Sequence, residues 1–133
     1  MTVLGEVRAG HDALHPGRWV RVCASAQVPV ERGVAALVGR DQVALVRSHD
    51  GTVHAVDHLD PVSGAHVMAR GIVGSATVDG HDVPTLASPM FKQVFDLRTG
   101  VCLSDASVRL RTWVVREVDG EVELQVPDAG GVT

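Results

Sequence analysis

The fold of this 133-residue chain is decided by the stretch GVAALVGRDQVALVRSHDGTVHAV, residues 33–56. It contains three short runs rich in valine, leucine and alanine, separated first by Gly39-Arg40-Asp41 and then by a segment with Asp50-Gly51. Runs of this length and composition predict β-strands. An Asp-Gly pair predicts a two-residue hairpin turn, because both of its residues can adopt a positive φ. The stretch therefore predicts three consecutive strands that pair antiparallel.

Similar runs continue on both sides of this stretch. One lies upstream at residues 19–23, and the downstream runs lie at residues 71–78, 83–87, 94–97, 109–118 and 121–126. Two further Asp-Gly pairs, at positions 79–80 and 119–120, separate neighbouring runs. Helical periodicity of useful length is absent, and the one helix candidate is a short turn near residues 25–28. The pattern therefore predicts an all-β, antiparallel, meandering fold.

The chain is predicted to form one domain between two terminal extensions. Residues 1–17 predict a flexible arm, residues 18–126 the folded domain and residues 127–133 a frayed tail. Two segments interrupt the strands: loop one, residues 57–70 (DHLDPVSGAHVMAR), and loop two, residues 87–93 (ASPMFKQ). In a domain this small, long ordered loops are where function usually lies.

Composition and charge exclude several function classes. The formal net charge is −4 without a basic stripe, which argues against a nucleic-acid partner. No apolar run reaches the roughly 18 residues of a membrane helix, and the first residues lack the apolar core of a secretion signal. Cys23 and Cys102 lie far apart, outside any CxxC or CxH motif. We therefore expect buried, reduced thiols and a cytoplasmic location.

One segment carries a resemblance to a known family. Residues 95–100 read FDLRTG, which resembles the F-D-L-x-T-G strand after the second ligand loop of Rieske iron–sulfur proteins. Those proteins bind a [2Fe–2S] cluster with two thiolates and two imidazoles. Counted back from this strand, the ligand positions fall on Asp60, Val62, Ser88 and Phe91. Valine and phenylalanine cannot coordinate iron, and a carboxylate and a hydroxyl cannot replace thiolates around a soft cluster. The resemblance therefore implies a Rieske-like layout without the cluster.

Three stretches resemble one family in particular, the small subunit of NADH-dependent assimilatory nitrite reductase. They are residues 33–47, 60–74 and 88–100. The resemblance implies a Rieske-like (ISP-type) antiparallel β-sandwich with a small two-loop subdomain at about residues 58–97. It implies an accessory subunit that has no redox centre and is not catalytic on its own. It also implies a partner, a large subunit with FAD, siroheme and an iron–sulfur cluster, which uses NADH or NADPH to reduce nitrite to ammonium in nitrate assimilation.

The two loops supply the candidate site for docking on that partner. Its predicted residues are Asp60, Val62, Ser63, Met90, Phe91, Lys92 and Gln93. The apolar members allow two interpretations: they fill or cap the space that a cluster would occupy, or they form an exposed tip that binds a partner. Asp60 and Ser88, each followed by proline, are predicted to begin turns by accepting hydrogen bonds from nearby N–H groups.

Two other functions stay open at this point. The chain could be a free-standing Rieske-like protein-interaction module without an enzyme partner. It could also be a mononuclear metal protein, because a His/His/carboxylate set binds non-haem iron or zinc and the region of loop one contains His54, His58, Asp60 and His66. Against a metal site, loop histidines without a metal are commoner.

Overall fold

The computed structural model describes residues 17–127, and this part of the chain consists of strands, turns and loops. The strands are β1 (Gly17–Ala24), β2 (Gly33–Val38), β3 (Asp41–Arg47), β4 (Val53–Asp57), β5 (Ile72–Val78), β6 (His81–Ala87), β7 (Val94–Asp96), β8 (Val101–Cys102), β9 (Asp105–Arg109), β10 (Thr112–Trp113), β11 (Val115–Val118) and β12 (Glu121–Pro127). The same part of the chain contains two 3₁₀ turns, Ser25–Gln27 and Met68–Arg70. The first is the predicted helical turn. The all-β prediction is confirmed.

The strands form three antiparallel sheets. A three-stranded sheet has the order β1-β12-β11, a four-stranded sheet the order β10-β4-β3-β2, and a five-stranded sheet the order β5-β6-β7-β8-β9. Consecutive strands are neighbours in most places, as a meander requires. The five-stranded sheet holds the strands that flank loop two, so it positions the candidate site.

The four-stranded sheet lies between the other two, and its strand β3 is buried on both faces. Residues Val43–Val46 of β3 alternate between two core clusters: the first and third pack in the cluster with Leu124, and the second and fourth in the cluster with Phe95. A strand covered on both faces needs apolar residues at every position, which explains the unbroken run in β3. Cys23 lies in the first cluster and Cys102 in the second, so the expected burial of both thiols is confirmed. Burial raises the pKa of Cys23.

Two of the three Asp-Gly pairs form the predicted two-residue hairpins. Asp79-Gly80 joins β5 to β6 with φ values of 51° and 81°, and Asp119-Gly120 joins β11 to β12 with φ values of 52° and 79°. A positive φ at both positions matches the right-handed twist of the paired strands. Both hairpins are therefore specified locally by the sequence.

The predicted two-residue turn at Asp50-Gly51 is wrong. Gly51 has φ 93°, but Asp50 has no positive φ, and the connection between β3 and β4 comprises residues 48–52. The carboxylate of Asp50 is the reason, because it accepts hydrogen bonds from the Ser48 hydroxyl (2.7 Å) and from the Thr52 N–H (3.0 Å). These two hydrogen bonds stabilise a longer loop and lower the pKa of Asp50 to about 2.

The predicted strand at residues 109–118 is divided among all three sheets. Its start belongs to β9 in the five-stranded sheet, its middle to β10 in the four-stranded sheet and its end to β11 in the three-stranded sheet. Strands β8 and β9 were not predicted, since two and five residues of mixed polarity give little periodic signal. They extend the five-stranded sheet to Arg109, beyond the expected subdomain at about residues 58–97.

The predicted termini fall mostly outside the described residues, which exclude residues 1–16 and 128–133. Gly17, the last residue of the predicted arm, begins β1 and pairs with Pro127 at the end of β12. Within residues 17–127 no helix has the length and apolar character needed to cross a bilayer.

Candidate functional site

Loops one and two lie side by side at one end of the five-stranded sheet. Loop one joins β4 to β5, and loop two joins β6 to β7. Leu59 pairs with His66, which closes loop one on itself. At the base, Gly71 approaches loop two so closely that an added Cβ would clash with the carbonyl oxygen of Ala87. Glycine at this position therefore allows the two loops to pack together.

The tips of the two loops repeat one turn design. In loop one the N–H of Asp60 donates to the carbonyl oxygen of Ala65 (2.8 Å), and the N–H of Gly64 donates to that of Asp60 (2.8 Å). Residues 88–93 repeat both hydrogen bonds at the equivalent positions, at 2.9 and 3.0 Å. The fifth residue of each turn is left-handed: Gly64 has φ 79° and Lys92 has φ 65°. Each tip is therefore a self-contained turn.

A side chain begins each turn, as predicted. Oδ1 of Asp60 accepts a hydrogen bond from the N–H of Val62 (2.8 Å), and Oγ of Ser88 accepts one from the N–H of Met90 (3.1 Å). The proline after each acceptor fixes φ for the following turn position. The expectation for Asp60 and Ser88 is confirmed.

Asp60 and Ser88 also bind one another, and our reading of the sequence missed this contact. The hydroxyl of Ser88 donates to Oδ2 of Asp60 at 2.6 Å, and both residues are buried. The one available signal was the resemblance, because positions that would bind a single cluster must lie close together. Burial acts to raise the pKa of Asp60, but hydrogen bonds from Ser88, Val62 and Ser63 outweigh burial and lower it.

The apolar side chains at the tips face outward. Val62 is 41% exposed, Met90 48% and Phe91 59%, and Lys92 beside them is exposed as well. This exposure argues against side chains that fill an internal space, whereas a cap over the loop ends and an exposed docking tip both stay predictions. We call Val62, Met90, Phe91 and Lys92 the two-loop face. Exposed apolar residues grouped in this way are typical of an interaction site.

Three of the predicted docking residues, Asp60, Ser63 and Gln93, are buried or half-buried and lie outside the two-loop face. Asp60 is fully buried, so it cannot touch a partner, and its carboxylate serves the turn and the Ser88 contact instead. Ser63 is half-buried, and its Oγ accepts the N–H of Ala65. Gln93 is half-buried, with Oε1 enclosed and without a hydrogen-bond partner. These three residues support the tips rather than cover them.

The histidines do not assemble the metal site considered above. Among the described residues, no group of three or more His, Cys, Asp or Glu side chains is placed to hold a metal ion. Nδ1 of His58 is already occupied, because it accepts the N–H of Ala69 at 3.0 Å. His58 is buried, and burial lowers its pKa, as it does the pKa of His54. Both therefore favour the neutral imidazole of a packed side chain.

Comparison with known proteins identifies related chains over nearly the whole described part. A family model for the Rieske-like [2Fe-2S] domain matches residues 18–125. The nitrite reductase (NADH) small subunit of Escherichia coli K12 is 32% identical over 109 residues, which cover 81% of this chain and 97% of that protein. A crystal structure described as an NADH-dependent nitrite reductase small subunit from Mycobacterium tuberculosis superposes with a TM-score of 0.74 and 39% identity, covering 83% of this chain and 96% of that one.

A further relative is much longer than this chain. The nitrite reductase [NAD(P)H] large subunit of Klebsiella oxytoca is 34% identical over 113 residues, which are 85% of this chain but only 11% of that protein. This chain therefore spans about a tenth of the length of that relative. A segment similar to nearly all of this chain is thus contained in that larger protein.

The [2Fe-2S] cluster in the family description requires donors that the two loops do not supply. Asp60 and Ser88 are hydrogen-bonded to each other, while Val62 and Phe91 carry no donor atom. The two cysteines of the chain lie in separate core clusters. The residues present therefore do not fit a thiolate- and imidazole-bound cluster. The strand order, the paired loops and the end-to-end likeness to its relatives nevertheless agree: this chain belongs to the family of Rieske-like [2Fe-2S] domains and, within it, to the small subunits of NADH nitrite reductase.

Proposed function

We propose that this chain is the accessory small subunit of a cytoplasmic NAD(P)H-dependent nitrite reductase. One observation carries the proposal: a segment similar to 85% of this chain forms part of a nitrite reductase large subunit. Domains that share one polypeptide work at high effective concentration, so a domain that also exists as a separate chain needs a binding surface for the same neighbour. The proposed partner is therefore a large subunit, with FAD, siroheme and an iron–sulfur cluster as its own cofactors.

We also propose that the chain contributes no redox centre and no catalytic acid or base. The donor set of the two loops supports this, since the carboxylate of Asp60 and the hydroxyl of Ser88 are buried against each other. The exposed side chains of the two-loop face, Val62, Met90, Phe91 and Lys92, include no carboxylate and no imidazole. The nitrite chemistry then belongs to the large subunit, and the small subunit stabilises or orients it.

The two-loop face has the composition expected of a docking surface. Binding energy at interfaces concentrates in a few aromatic, aliphatic and charged anchors, and Phe91 at the centre of an exposed apolar tip is such an anchor. The exposed charges on both loops are positive, although the whole chain has a formal net charge of −4. We therefore propose a partner surface that is apolar at its centre and acidic at its edge.

A binding titration tests the proposed partner and the proposed face together. The full chain is titrated against the large subunit of the same organism, and Phe91→Ala is compared with Leu37→Ala. Leu37 is 52% exposed on the edge strand β2, in a different sheet, so it controls for loss of an exposed apolar side chain. Weaker binding of Phe91→Ala alone is the expected result. Absence of a complex with the large subunit contradicts the proposed function.

The sequence offers a second test of the face. Lys92 is the only lysine of the chain, so an amine-reactive photo-crosslinker attaches there and at the N-terminus. Crosslinks from Lys92 to the large subunit are expected, and crosslinks from the N-terminus alone contradict docking through the two loops. Blocking the terminal amine by acetylation provides the control.

The proposed lack of a redox centre is tested by spectroscopy and metal analysis. The purified chain, treated anaerobically with iron and sulfide, is expected to remain colourless and to give no reduced-state Rieske EPR signal. Stoichiometric iron and sulfide in the treated protein would contradict the donor assignment at Asp60 and Ser88.

A further inference from the structure

We propose that the Asp60–Ser88 hydrogen bond is a strut that fixes loop one against loop two and thereby sets the shape of the two-loop face. Both residues are buried, so they are positioning residues that do not touch a partner. The effect on loop geometry is independent of the proposed function, whereas the effect on docking rests on it.

The strut has no substitute among residues 17–127. Among the described residues, the other hydrogen bonds of the two tips close turns within the same loop. The hydroxyl of Ser88 and Oδ2 of Asp60 alone form a hydrogen bond from one tip to the other. Below them, the pair Ile72–Ala87 joins only the bases of the loops. Loss of the strut therefore leaves two separate turns on a common base.

The strut also connects residues of the two-loop face itself. The N–H of Val62 donates to Oδ1 of Asp60, Oδ2 of the same carboxylate accepts the Ser88 hydroxyl, and Oγ of Ser88 accepts the N–H of Met90. This is a continuous chain of hydrogen bonds between the backbones of two exposed residues. Hydrogen bonds to a buried carboxylate are stronger than neutral ones, and linked bonds polarise one another. Val62 and Met90 are therefore held at a fixed separation.

The strut occupies positions at which the resemblance places cluster ligands. A [2Fe-2S] cluster bound by donors from two loops would cross-link them, and the resemblance places two of those donors on Asp60 and Ser88. Here a carboxylate and a hydroxyl form a cross-link at the same two positions. The mechanical role of a cluster is thus retained by two side chains that cannot bind it.

Amide hydrogen exchange on the full chain tests the strut. Ser88→Ala removes the hydroxyl, and the expected result is exchange about tenfold or more faster at the N–H of Gly64 in the other loop, as loss of a charge-assisted hydrogen bond implies. The acceptor of that N–H is the backbone oxygen of Asp60, which the substitution leaves in place. Faster exchange confined to loop two, at Met90 and Lys92, would overturn the proposal.

Three further variants make the test specific. Ser107→Ala is the matched control, because the Ser107 hydroxyl donates to Asp105 over the same 2.6 Å but at an exposed site within one strand. This substitution should leave the exchange rate of the Gly64 N–H unchanged. Asp60→Asn should keep the parent's slow exchange at Gly64, since its side-chain amide can donate to Oγ of Ser88 and so replace the original hydrogen bond with one of reversed direction. If Ser88→Ala does not fold, Ser88→Cys keeps a weak donor of similar size and should give intermediate exchange. Slow exchange in Ser88→Cys equal to that of the parent would overturn the strut.

Binding to the large subunit separates this inference from the proposed function. If the strut and the docking face both stand, Ser88→Ala weakens binding, whereas Asp60→Asn binds as tightly as the parent. If Ser88→Ala loosens loop one but neither it nor Phe91→Ala changes binding, the strut stands and the docking face is wrong. If Phe91→Ala weakens binding while Gly64 exchanges normally in Ser88→Ala, the docking face stands and the strut is wrong.

Discussion

Phe91→Ala is expected to weaken binding to the large subunit while leaving the fold nearly as stable as before. The chain has two phenylalanines, and they lie in opposite environments: Phe91 is 59% exposed at the tip of loop two, whereas Phe95 on β7 is fully buried. The pair therefore provides a test and its control within the same five residues of sequence.

The expected loss of stability follows from the covered area. A phenylalanine has about 200 Å² of surface, so with 59% exposed about 80 Å² of Phe91 is covered. At about 25 cal/mol per Å² this area is worth at most about 2 kcal/mol, and alanine keeps part of it, which leaves about 1 kcal/mol. Truncating the buried Phe95 should cost about 3–5 kcal/mol. For binding, an aromatic anchor should cost about 1.4 kcal/mol or more, a tenfold weaker Kd.

Urea unfolding followed by tryptophan fluorescence measures the first quantity, and titration against the large subunit measures the second. With an m-value of about 1–3 kcal/mol per molar urea, Phe91→Ala should lower the midpoint by about 1 M or less. A loss above about 2.5 kcal/mol for Phe91→Ala would show that its ring packs as a core residue does. An unchanged Kd would refute the docking argument even if the stability prediction holds.

Three further perturbations test other parts of the structure. Lys92→Gly should raise the free energy of unfolding by about 0.5–1 kcal/mol in urea titrations, because glycine adopts the left-handed backbone without strain. The same substitution should weaken docking, because it removes the cation. A lower urea midpoint than that of the parent contradicts the stability prediction. Burial lowers the pKa of both His54 and His58, so the free energy of unfolding should be highest above about pH 6.5. It should decrease below that pH, because the unfolded chain takes up protons that the folded chain does not. Urea unfolding curves between pH 8 and 5 measure this dependence, and a free energy of unfolding that does not change with pH contradicts it. Gly100→Ala should destabilise the fold more than Gly80→Ala, by about 2 kcal/mol or more in the same assay. The two glycines have nearly equal φ (83° and 81°), but only at position 100 would the added Cβ clash, with the carbonyl oxygen of Leu110 after β9. Equal losses of stability would refute the clash.

Local signals in the sequence specified most of the strands and two of the three predicted hairpins. The hairpins at Asp79-Gly80 and Asp119-Gly120 could be predicted from the two turn residues alone, because their positive φ values close the turn directly. Asp50-Gly51 failed because a carboxylate can close a longer loop through hydrogen bonds to its neighbours. The division of residues 109–118 among three sheets could not be predicted, since apolar residues recur along the whole segment and do not mark where one sheet ends and the next begins.

The candidate site shows a similar division between local and long-range information. The turn roles of Asp60 and Ser88 followed from a short polar residue before proline. Their contact with each other joins positions that are distant in sequence, and no periodicity encodes it. The exposure of Phe91 was equally undetermined, because an aromatic residue in a loop can face either the core or solvent. Packing of the whole domain decides both.

The backbone of Lys92 supports the proposal that the two-loop face binds a partner. The equivalent position of loop one is Gly64, and both residues are left-handed. A lysine with φ 65° costs about 1 kcal/mol that a glycine would avoid, yet its side chain is exposed and makes no salt bridge within the described residues. Backbone strain of this kind is concentrated at sites where it serves function. Since Lys92 forms no salt bridge within residues 17–127, its strained backbone supports the proposal that its charge serves docking through the two-loop face.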